Sequence, residues 1–309
     1  MPQSDTSLKI RYLTLPISEE LAGTEVNTLL RRHMGLSGTV LRRIKWLPDG
    51  ITVDGVRVNV RYRVTKGQVL SARLSDPDTA VQPWPSQGPL DLVYEDEDLC
   101  VVNKAPGMLV HPSHGHWADT VGNYLMGHYL ERREAAGFHP VHRLDKGTSG
   151  LLVAAKHPHG QEKLKNQLHT GGFRRVYLAV CDGVPRPAQG AIDAPIGPAP
   201  GSRVAQAVRP DGKPAHTHYR VLREGDGRAL VELELDTGRT HQIRVHLAHL
   251  GHPLLGDFLY GEEDQALIGR PALHSWKLSL RHPITGQELD FTASVPEDMV
   301  GLLKARNES

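Results

Sequence analysis

The stretch HRLDKGTSGLLVAAK, residues 142–156, determines our expectation of the fold and of the chemistry. Its second half, Leu151–Ala155, is an uninterrupted apolar run of strand length and predicts a buried strand. The first half is polar and contains glycine, so it predicts a loop that leads into that strand. Such a loop can hold a side chain rigidly at the edge of a cleft, and Asp145 is the candidate.

The residues alone leave two interpretations of this loop open. Arg143 and Lys146 lie near Asp145 in the chain, and cationic neighbours keep a carboxylate ionised even when it is partly removed from water. An ionised carboxylate is a competent nucleophile. The alternative is a structural Arg–Asp pair, with Thr148 and Ser149 capping a turn.

A second polar segment, DTGRTHQIRVHLAHLGHPLLGDFLYG, covers residues 236–261. Its alternation predicts a strand over 241–249. The predicted strand would present three polar side chains side by side: Gln242, Arg244 and His246. Two more would enter from the preceding turn: Arg239 and His241. Such a row suits a carboxylate, a phosphate or the edge of a base.

A metal site is the competing interpretation of this segment, which contains four histidines: His241, His246, His249 and His252. No carboxylate or cysteine lies among them, and their spacings of five, three and three differ from the i, i+4 pairs of a helical zinc site. We therefore predict no metal. Glycine-rich phosphate loops are also missing from the sequence, which disfavours a nucleotide cofactor.

Two further candidates lie in strand-like runs. Tyr177 is part of RRVYLAVCDG, residues 174–183, where its ring could stack on a nucleobase or simply belong to the core. Lys104 ends a strand within VVNKAPGMLVHPSHGH, residues 101–116, where the pattern for a phosphate cradle is weak.

A proline-rich stretch, DPDTAVQPWPSQGPL, covers residues 76–90. Its four prolines forbid a regular helix, and it lacks apolar periodicity. We therefore predict an N-terminal domain over residues 1–78, a linker over 79–90 and a catalytic domain over 91–309.

Strand-like runs dominate the larger domain, and helices are predicted only at about 119–135 and 159–169. The first helix should be capped by Asp119 and stopped by Gly137. The Pro/Gly-rich stretch 183–214 is predicted to be a decorated loop or a hairpin excursion. The pattern predicts an α+β fold, with a large mixed or antiparallel sheet, flanking helices and a central cleft.

The N-terminal domain has a helix–helix–hairpin pattern. Apolar residues recur at helical spacing over 25–34 and 37–46, and Ser37 is a plausible N-cap for the second helix. The following Asp54-Gly55 pair is a strong hairpin signal.

The same domain is basic, since residues 31–73 hold ten Lys or Arg against two acidic residues. This charge favours a polyanionic partner, although a solvated helical face would look the same. The candidate RNA-binding side chains are Arg31, Arg32, Arg42, Arg43 and Lys45. The segment resembles the alpha-L RNA-binding domain, but it has Glu25-Val26-Asn27 where that family has Arg-Leu-Asp, and Gly38 where it favours Arg.

The larger domain resembles the RluA family of pseudouridine synthases over about residues 90–298. The resemblance rests on HRLDKGTSGLLVAAK, on VYEDEDLCVVNKAPGMLVHP before it, and on RVYLAV and GRTHQIRVHLAHLGHPLLGD after it. The motifs occur in family order and are highly specific. The main departure is Gly147, where the family usually has Asp or a similarly polar residue.

This resemblance implies an enzyme that isomerises uridine to pseudouridine without a metal or organic cofactor. It implies that Asp145 is the nucleophile, that Tyr177 stacks on the base, that Arg244 pairs with Asp145, and that Arg143 helps to fill the gap left by a flipped nucleotide. The other substrate-binding candidates lie in or near these motifs: His142, Thr148, Arg239, His241, Gln242 and Lys104.

Structured RNA is the expected partner, and ribosomal RNA of the large subunit is favoured over transfer RNA. The alternatives are a non-catalytic RNA-binding assembly factor and a base-removing hydrolase. We expect no DNA or membrane partner, and a monomer is the default. The N-terminus has no apolar signal region, and no apolar run is long enough to span a membrane, so the expected location is the cytoplasm with Cys100 and Cys181 reduced.

Overall fold

The computed structural model describes residues 8–75 and 83–302. These residues form a four-stranded sheet in the N-terminal part, a ten-stranded sheet in the larger part and a separate two-stranded hairpin. Within the same ranges, no helix is both long and apolar enough to cross a membrane.

The N-terminal sheet pairs its strands in the order β1-β4-β2-β3. The strands are β1 (Tyr12–Pro16), β2 (Ile51–Val53), β3 (Val56–Arg57) and β4 (Val69–Arg73). The helices are α1 (Val26–Thr28), which continues as a π-helical turn over Leu29–His33, and α2 (Gly38–Ile44), with a short 3-10 turn at Glu19–Leu21.

The predicted helix–helix–hairpin is confirmed, and β1 and β4 complete it as a sheet. Ser37 caps α2, because its Oγ accepts a hydrogen bond from the backbone N–H of Val40 at 3.3 Å. Asp54 and Gly55 both have positive φ angles, 50° and 78°, which matches the tight turn that joins β2 to β3.

The larger part carries most of the regular structure. Its strands are β5 (Leu92–Glu95), β6 (Leu99–Lys104), β7 (His139–Pro140), β8 (Ser149–Ala155), β9 (Arg174–Asp182), β10 (Gln189–Asp193), β11 (Ile196–Pro198), β12 (Gln206–Val208), β13 (His216–Gly225), β14 (Arg228–Leu235), β15 (Leu273–Arg281) and β16 (Glu288–Thr292). Its helices are α3 (Val121–Glu131), α4 (Pro158–Thr170), α5 (Gln242–His249) and α6 (Glu297–Val300).

The large sheet is mixed, which confirms the predicted α+β class. Its main path runs β10-β13-β14-β9-β15-β8-β6-β5; β16 pairs with β15 and β7 with β8. All seven residues of β8 are buried, as its apolar run predicts. The strands β8 and β15 run parallel and very close, because a Cβ on Gly150 would lie 2.2 Å from the carbonyl oxygen of Ser275. Only glycine fits there, and the close contact fixes the end of the loop that carries Asp145.

The prediction of a strand over 241–249 is wrong, because Gln242–His249 form α5. Residues 242–247 are all buried, and only the last turn reaches the surface, so most of the helix has no solvent-facing side to reveal its period. The alternation of Ile, Val and Leu with polar residues therefore imitated a strand. In the helix, residues two positions apart point in different directions, and the predicted row of Gln242, Arg244 and His246 does not form.

Helix boundaries differ in detail. The N-cap of α3 is Thr120 and not Asp119: Thr120 Oγ1 accepts from the N–H of Asn123 at 3.3 Å, and Asn123 Oδ1 accepts from the N–H of Thr120 at 3.1 Å. Asp119 instead lies 2.6 Å from His116 Nδ1. The helix ends at Glu131, short of the predicted stop, whereas α4 confirms the second predicted helix.

Residues 79–82 of the predicted linker lie outside the described residues, as does Pro77. The remainder, 83–90, has no regular secondary structure. The stretch 183–214 contains β10 and the hairpin of β11 and β12, so it is a hairpin excursion.

A buried ion-pair network joins the N-terminal part to the larger part. Arg11 donates to both carboxylate oxygens of Asp98, at 2.9 and 3.0 Å, and His157 Nε2 lies 3.0 Å from the same carboxylate. Burial alone would raise the pKa of Asp98, but the hydrogen bonds from His157 and Arg11 hold this pKa well below its usual range. The contact is therefore expected to persist at any moderately acidic pH.

Candidate active site

A cleft of about 340 Å³ lies beside the loop that precedes β8. Most of its wall comes from the loop, from β9 and from the turn that leads from β14 into α5, and the end of α4 and the start of β15 complete it. The predicted site residues on its wall are His142, Arg143, Asp145, Thr148, Tyr177, Arg239, His241, Gln242 and Arg244. Two distant sequence motifs thus meet at one cavity of a size that suits a small ligand or a single nucleotide base.

Asp145 is the anionic centre of this cleft. Its side chain is 31% exposed, and its backbone carbonyl accepts a hydrogen bond from the N–H of Thr148 at 3.1 Å, which closes the loop. Its Oδ2 lies 3.5 Å from Arg244 Nη1 and 3.8 Å from His241 Nε2. Arg143 is exposed and donates to Thr240 Oγ1 at 3.2 Å, so the cation nearest to the carboxylate comes from α5.

Arg244 is held in place by Asp257. The guanidinium Nε and Nη2 donate to the two carboxylate oxygens of Asp257, both at 2.7 Å, and the Asp257 side chain is fully buried. Although burial lowers it, the net pKa of Arg244 is raised because Asp257 and Asp145 favour the charged form. The guanidinium also lies over the ring of Tyr260, at 5.0 Å. Nη1 is left to face Asp145.

Tyr177 lies in β9 with 4% of its surface exposed. Burial raises the pKa of its hydroxyl, so the side chain stays protonated at neutral pH. The residue belongs to the hydrophobic core and also forms part of the cleft wall, and its stacking on a base stays a prediction.

Lys104, a predicted substrate-binding residue, binds backbone carbonyls of the protein itself. Lys104 Nζ donates to the carbonyls of Ala105, Met108 and Lys146, at 3.0, 2.8 and 3.2 Å, and it lies outside the cleft wall. Burial lowers the pKa of this amine to about 7. Lys104 therefore supports the loop that carries Asp145 and does not offer a donor to the cleft.

Gln242 also has a scaffolding geometry. Its Oε1 accepts from the N–H of Arg239 and from the hydroxyl of Thr237, both at 2.9 Å. Its Nε2 donates to the carbonyl of His216 and to Thr217 Oγ1. All four bonds lie within the turn before α5 and the neighbouring strand, so this side chain shapes the turn.

His142 is buried against Phe173, and its Nε2 accepts a hydrogen bond from the N–H of Val153 at 3.3 Å. Burial lowers the pKa of His142 to about 3, so the ring is neutral and its proton lies on Nδ1. Arg239 lies at the rim, where its Nε donates to the carbonyl of Pro214 at 2.9 Å. Thr148 is buried beneath the loop.

His241 is the N-cap of α5 and has a left-handed backbone conformation, with φ 55° and ψ 21°. Its Nδ1 lies 2.8 Å from the hydroxyl of Tyr260, and this hydroxyl accepts from the backbone N–H of Gln206 at 2.8 Å. Burial lowers the pKa of His241. Such strained non-glycine residues are concentrated at functional sites.

Sequence reasoning missed Asp257, Tyr260 and Gln206. Asp257 and Tyr260 lie inside the quoted motif, and an acidic residue close to a buried arginine was an available signal. Gln206 acts through its backbone, so its identity carried no signal.

The remaining histidines of this segment do not converge on one point. His246 is buried between Thr217 Oγ1 and the carbonyl of Ala194, at 2.8 and 2.9 Å. His252 Nδ1 lies 3.0 Å from the carbonyl of Asp182, and His249 is exposed. Each of the two paired rings therefore has a structural role.

On the N-terminal part, the five predicted RNA-binding cations, Arg31, Arg32, Arg42, Arg43 and Lys45, are all exposed. Lys45 Nζ lies 4.9 Å from the ring centroid of Trp46, which is 74% exposed. Arg57 donates to the backbone carbonyls of both residues. An accessible indole framed by cations can stack on a base while its neighbours meet phosphates.

Comparison with known proteins places this geometry in context. Residues 98–249 match a family model described as RNA pseudouridylate synthase, and this range includes Asp145, Tyr177 and Arg244. Among curated proteins, the chain is 39% identical over 275 residues to the uncharacterized RNA pseudouridine synthase YjbO of Bacillus subtilis, which covers 89% of the chain and 97% of the relative. It is 42% identical over 279 residues to ribosomal large subunit pseudouridine synthase D of Vibrio parahaemolyticus, covering 84% of each.

Solved structures agree. Human RNA pseudouridylate synthase domain containing 1 aligns with a TM-score of 0.57 and 27% identity, over 70% of this chain and 86% of that one. Human RNA pseudouridylate synthase domain containing 4 aligns with a TM-score of 0.54 and 28% identity, over 69% and 91%.

Proposed function

Because the chain belongs to the RluA family of RNA pseudouridine synthases, which isomerise uridine to pseudouridine in RNA, we propose that it attacks specific uridines of structured RNA through Asp145. The observation that carries this proposal is the placement of Asp145 in the cleft beside Arg244, whose charge is fixed by the buried Asp257. A charged guanidinium thus lies 3.5 Å from the carboxylate of Asp145, and a carboxylate is a competent nucleophile.

The proposed reaction breaks the glycosidic bond between N1 of the base and C1′ of the ribose. Asp145 attacks either C1′ or C6, the uracil rotates, and a new bond forms between C5 and C1′ as the bond to Asp145 is released. The proton on C5 is lost while N1 takes up one proton. No atom is added or lost overall, which fits a site that needs no co-substrate. Tyr177 lies on the wall of the same cleft, where its ring would stack against the uracil and retain it in the cleft while it rotates.

Base flipping is part of this proposal. The reacting atoms of a stacked uridine are hidden in a stem, and extruding the nucleotide costs a few kcal/mol. A cleft of about 340 Å³ can hold one base and exclude its neighbours. Arg143 is exposed at the edge of the cleft, where its guanidinium could occupy the gap that the flipped nucleotide leaves.

We propose large-subunit ribosomal RNA as the substrate class. Relatives named ribosomal large subunit pseudouridine synthase D support it, including one from Nitrosomonas europaea that is 38% identical over 95% of this chain. We also propose that residues 1–78 are an RNA-binding domain joined through 79–90 to a catalytic domain over 91–309. The exposed cations around Trp46 support that role.

A tritium-release assay tests the proposal. RNA transcripts that carry tritium at C5 of their uracil bases are incubated with the wild-type protein and with Asp145→Asn. We expect release to water by the wild type only. Asp226→Asn is the matched control, because Asp226 lies in the exposed turn between β13 and β14.

The outcome distinguishes the alternatives. Release from ribosomal RNA but not from transfer RNA would support the substrate class, and the reverse would overturn it. Free uracil in the products would indicate a hydrolase. Binding without release, from transcripts and from ribosomal precursor particles alike, would indicate a non-catalytic assembly factor.

A further inference from the structure

The hydrogen bonds around His241 favour the tautomer with its proton on Nε2, because Nδ1 is the acceptor that the described residues offer to the hydroxyl proton of Tyr260. The backbone N–H of Gln206 can only donate, so the hydroxyl oxygen of Tyr260 is its acceptor, at 2.8 Å. The hydroxyl proton of Tyr260 is then free to point at His241 Nδ1, also at 2.8 Å. A neutral imidazole that accepts at Nδ1 must carry its proton on Nε2.

His241 is neutral at working pH, and the charges around it do not change that. Burial is the main cause that lowers its pKa. Asp145 and Asp257 raise the pKa, whereas Arg244 and Arg143 lower it. The tautomer argument therefore applies to the form that is present near pH 7.

The Nε2–H of this tautomer lies in the cleft. His241 is part of the cleft wall, and its side chain is 12% exposed. Nε2 lies 3.8 Å from Asp145 Oδ2, which is too long for a hydrogen bond. No hydrogen bond from Nε2 to another side chain or backbone group occurs in residues 8–75 and 83–302. A donor with a fixed direction thus faces the place where the substrate of Asp145 must lie.

We propose that His241 Nε2–H donates a hydrogen bond to a carbonyl oxygen of the target uracil, and that Tyr260 is a positioning residue that fixes this tautomer. This inference rests on the proposed function. When the glycosidic bond breaks, negative charge develops on the uracil and spreads to its carbonyl oxygens. A preorganised N–H donor stabilises that charge more than it stabilises the bound uridine, which accelerates bond cleavage. No proton is transferred in this step.

The two-stranded hairpin gains a role from this arrangement. The residue that holds the Tyr260 hydroxyl, Gln206, begins β12, and β12 pairs only with β11 in the described sheets. The hairpin therefore contacts Tyr260 through the backbone N–H of Gln206, and its Ile196 and Val208 pack in one apolar cluster with Val245 of α5 and Tyr260.

Substitutions at His241 test the donor. We would measure single-turnover tritium release at saturating protein, so that RNA affinity does not enter. His241→Leu removes the donor, and we expect the rate to fall roughly a hundredfold or more. His241→Gln keeps an N–H near the position of Nε2, and its rate should be at least tenfold higher than that of His241→Leu.

Tyr260→Phe tests the tautomer. The variant keeps the ring beneath Arg244 but lets neutral His241 place its proton on either nitrogen, so its rate at pH 8 should fall about twofold or more. Protonation gives imidazolium an N–H on both nitrogens. The ratio of the Tyr260→Phe rate to the wild-type rate should therefore rise as pH falls from 8 to 5. Tyr219→Phe is the control, because it loses only a hydrogen bond from its hydroxyl to the carbonyl of Pro187, far from Asp145 in the sheet. The ratio of its rate to the wild-type rate should stay near one at every pH.

Two results would overturn the inference while the proposed function stands. One is a His241→Leu rate within threefold of wild type. The other is a Tyr260→Phe ratio that is low but independent of pH, since lost packing would not respond to protonation of His241. Failure of the wild type itself to release tritium would instead refute the proposed function.

Discussion

Arg244 and Asp257 form a bidentate ion pair beside the cleft, with both nitrogen–oxygen distances at 2.7 Å. The side chain of Asp257 has no exposed surface and that of Arg244 is 6% exposed. The pair leaves Nη1 of the guanidinium directed towards Asp145, at 3.5 Å. An exposed arginine without such a partner would be hydrated and flexible, and its guanidinium would not be held in this orientation.

Asp257→Asn should therefore be costly both to stability and to activity. Removal of one partner of a buried ion pair leaves an uncompensated charge and costs about 3–5 kcal/mol in the free energy of unfolding. Glu234→Gln is the control, because its pair with Arg174 is partly exposed and should contribute less than about 1 kcal/mol. Urea denaturation checks both values, and equal losses in the two variants would contradict the role of burial.

Because Lys104 is buried, we expect the free energy of unfolding to depend on pH in a specific way. Its pKa is about 7 in the folded chain because of burial, against 10.5 in the unfolded chain. Between these values the unfolded state binds more protons, so this residue makes the folded state more stable as pH rises, by up to about 1.4 kcal/mol per pH unit. Below pH 7 both states are protonated and the slope from this residue disappears.

Lys104→Met removes that slope. The difference in the free energy of unfolding between wild type and variant should grow in favour of the wild type from pH 7 to pH 9.5, and it should stay constant from pH 5.5 to 6.5. Urea denaturation over this pH series measures it. A constant difference across the whole series would mean that the amine is charged in the folded protein throughout.

We expect a substitution of Arg270 to slow catalysis without changing the affinity for RNA. Its Nη1 donates to the carbonyl of Gly147 at 3.1 Å, two residues after Asp145, while Nε and Nη2 bind Asp298 of α6 at 2.7 and 2.8 Å. Arg270→Lys cannot make both contacts, so the loop should shift and kcat should fall roughly ten- to a hundredfold. Arg281→Lys, at an exposed pair with Glu288, is the control. An unchanged kcat in Arg270→Lys would show that Gly147 needs no such support.

Local signals in the sequence predicted much of the fold. Strand β8, the cap at Ser37 and the Asp54-Gly55 turn each depend on a few neighbouring residues, and each was correctly expected. Helix α5 was not, because its residues 242–247 are buried on every side and show no amphipathic period. Its polar residues are satisfied by distant strands and turns, which no local pattern reveals.

The same distinction applies to the candidate site. Asp145 and Arg244 belong to motifs that the sequence displays, and the structure brings them to one cleft. Their geometry depends on contacts between distant parts of the chain. Arg270 reaches the catalytic loop across 123 residues, and Gln206 reaches Tyr260 across 54. Contacts between residues so far apart in the chain depend on the whole fold, and the spacing of residues within a motif does not reveal them.

The exposed cations of the N-terminal part predict a salt-dependent contribution to RNA binding. Replacement of Arg31, Arg32, Arg42 and Lys45 by alanine should leave stability unchanged, because these side chains are exposed. Each phosphate contact that is lost should reduce the slope of log K against log salt concentration by about 0.7–0.9. The control replaces four exposed arginines that already pair with glutamates: Arg174, Arg186, Arg220 and Arg281. Equal slopes in the two quadruple variants would place the RNA elsewhere.

Trp46 should contribute to the same binding by a different force. Its indole is 74% exposed, with Lys45 beside it, and stacking of a base on such a ring contributes about 1–3 kcal/mol. Stacking releases no counterions, so Trp46→Ala should weaken binding by the same factor at every salt concentration, parallel to the wild type. Trp84→Ala is the matched control, since Trp84 is 72% exposed but lies outside the basic N-terminal part. If Trp46→Ala changed the slope and not the offset, the residue would act only by positioning Lys45 and Arg57, and the partner at this surface would be the phosphate backbone alone.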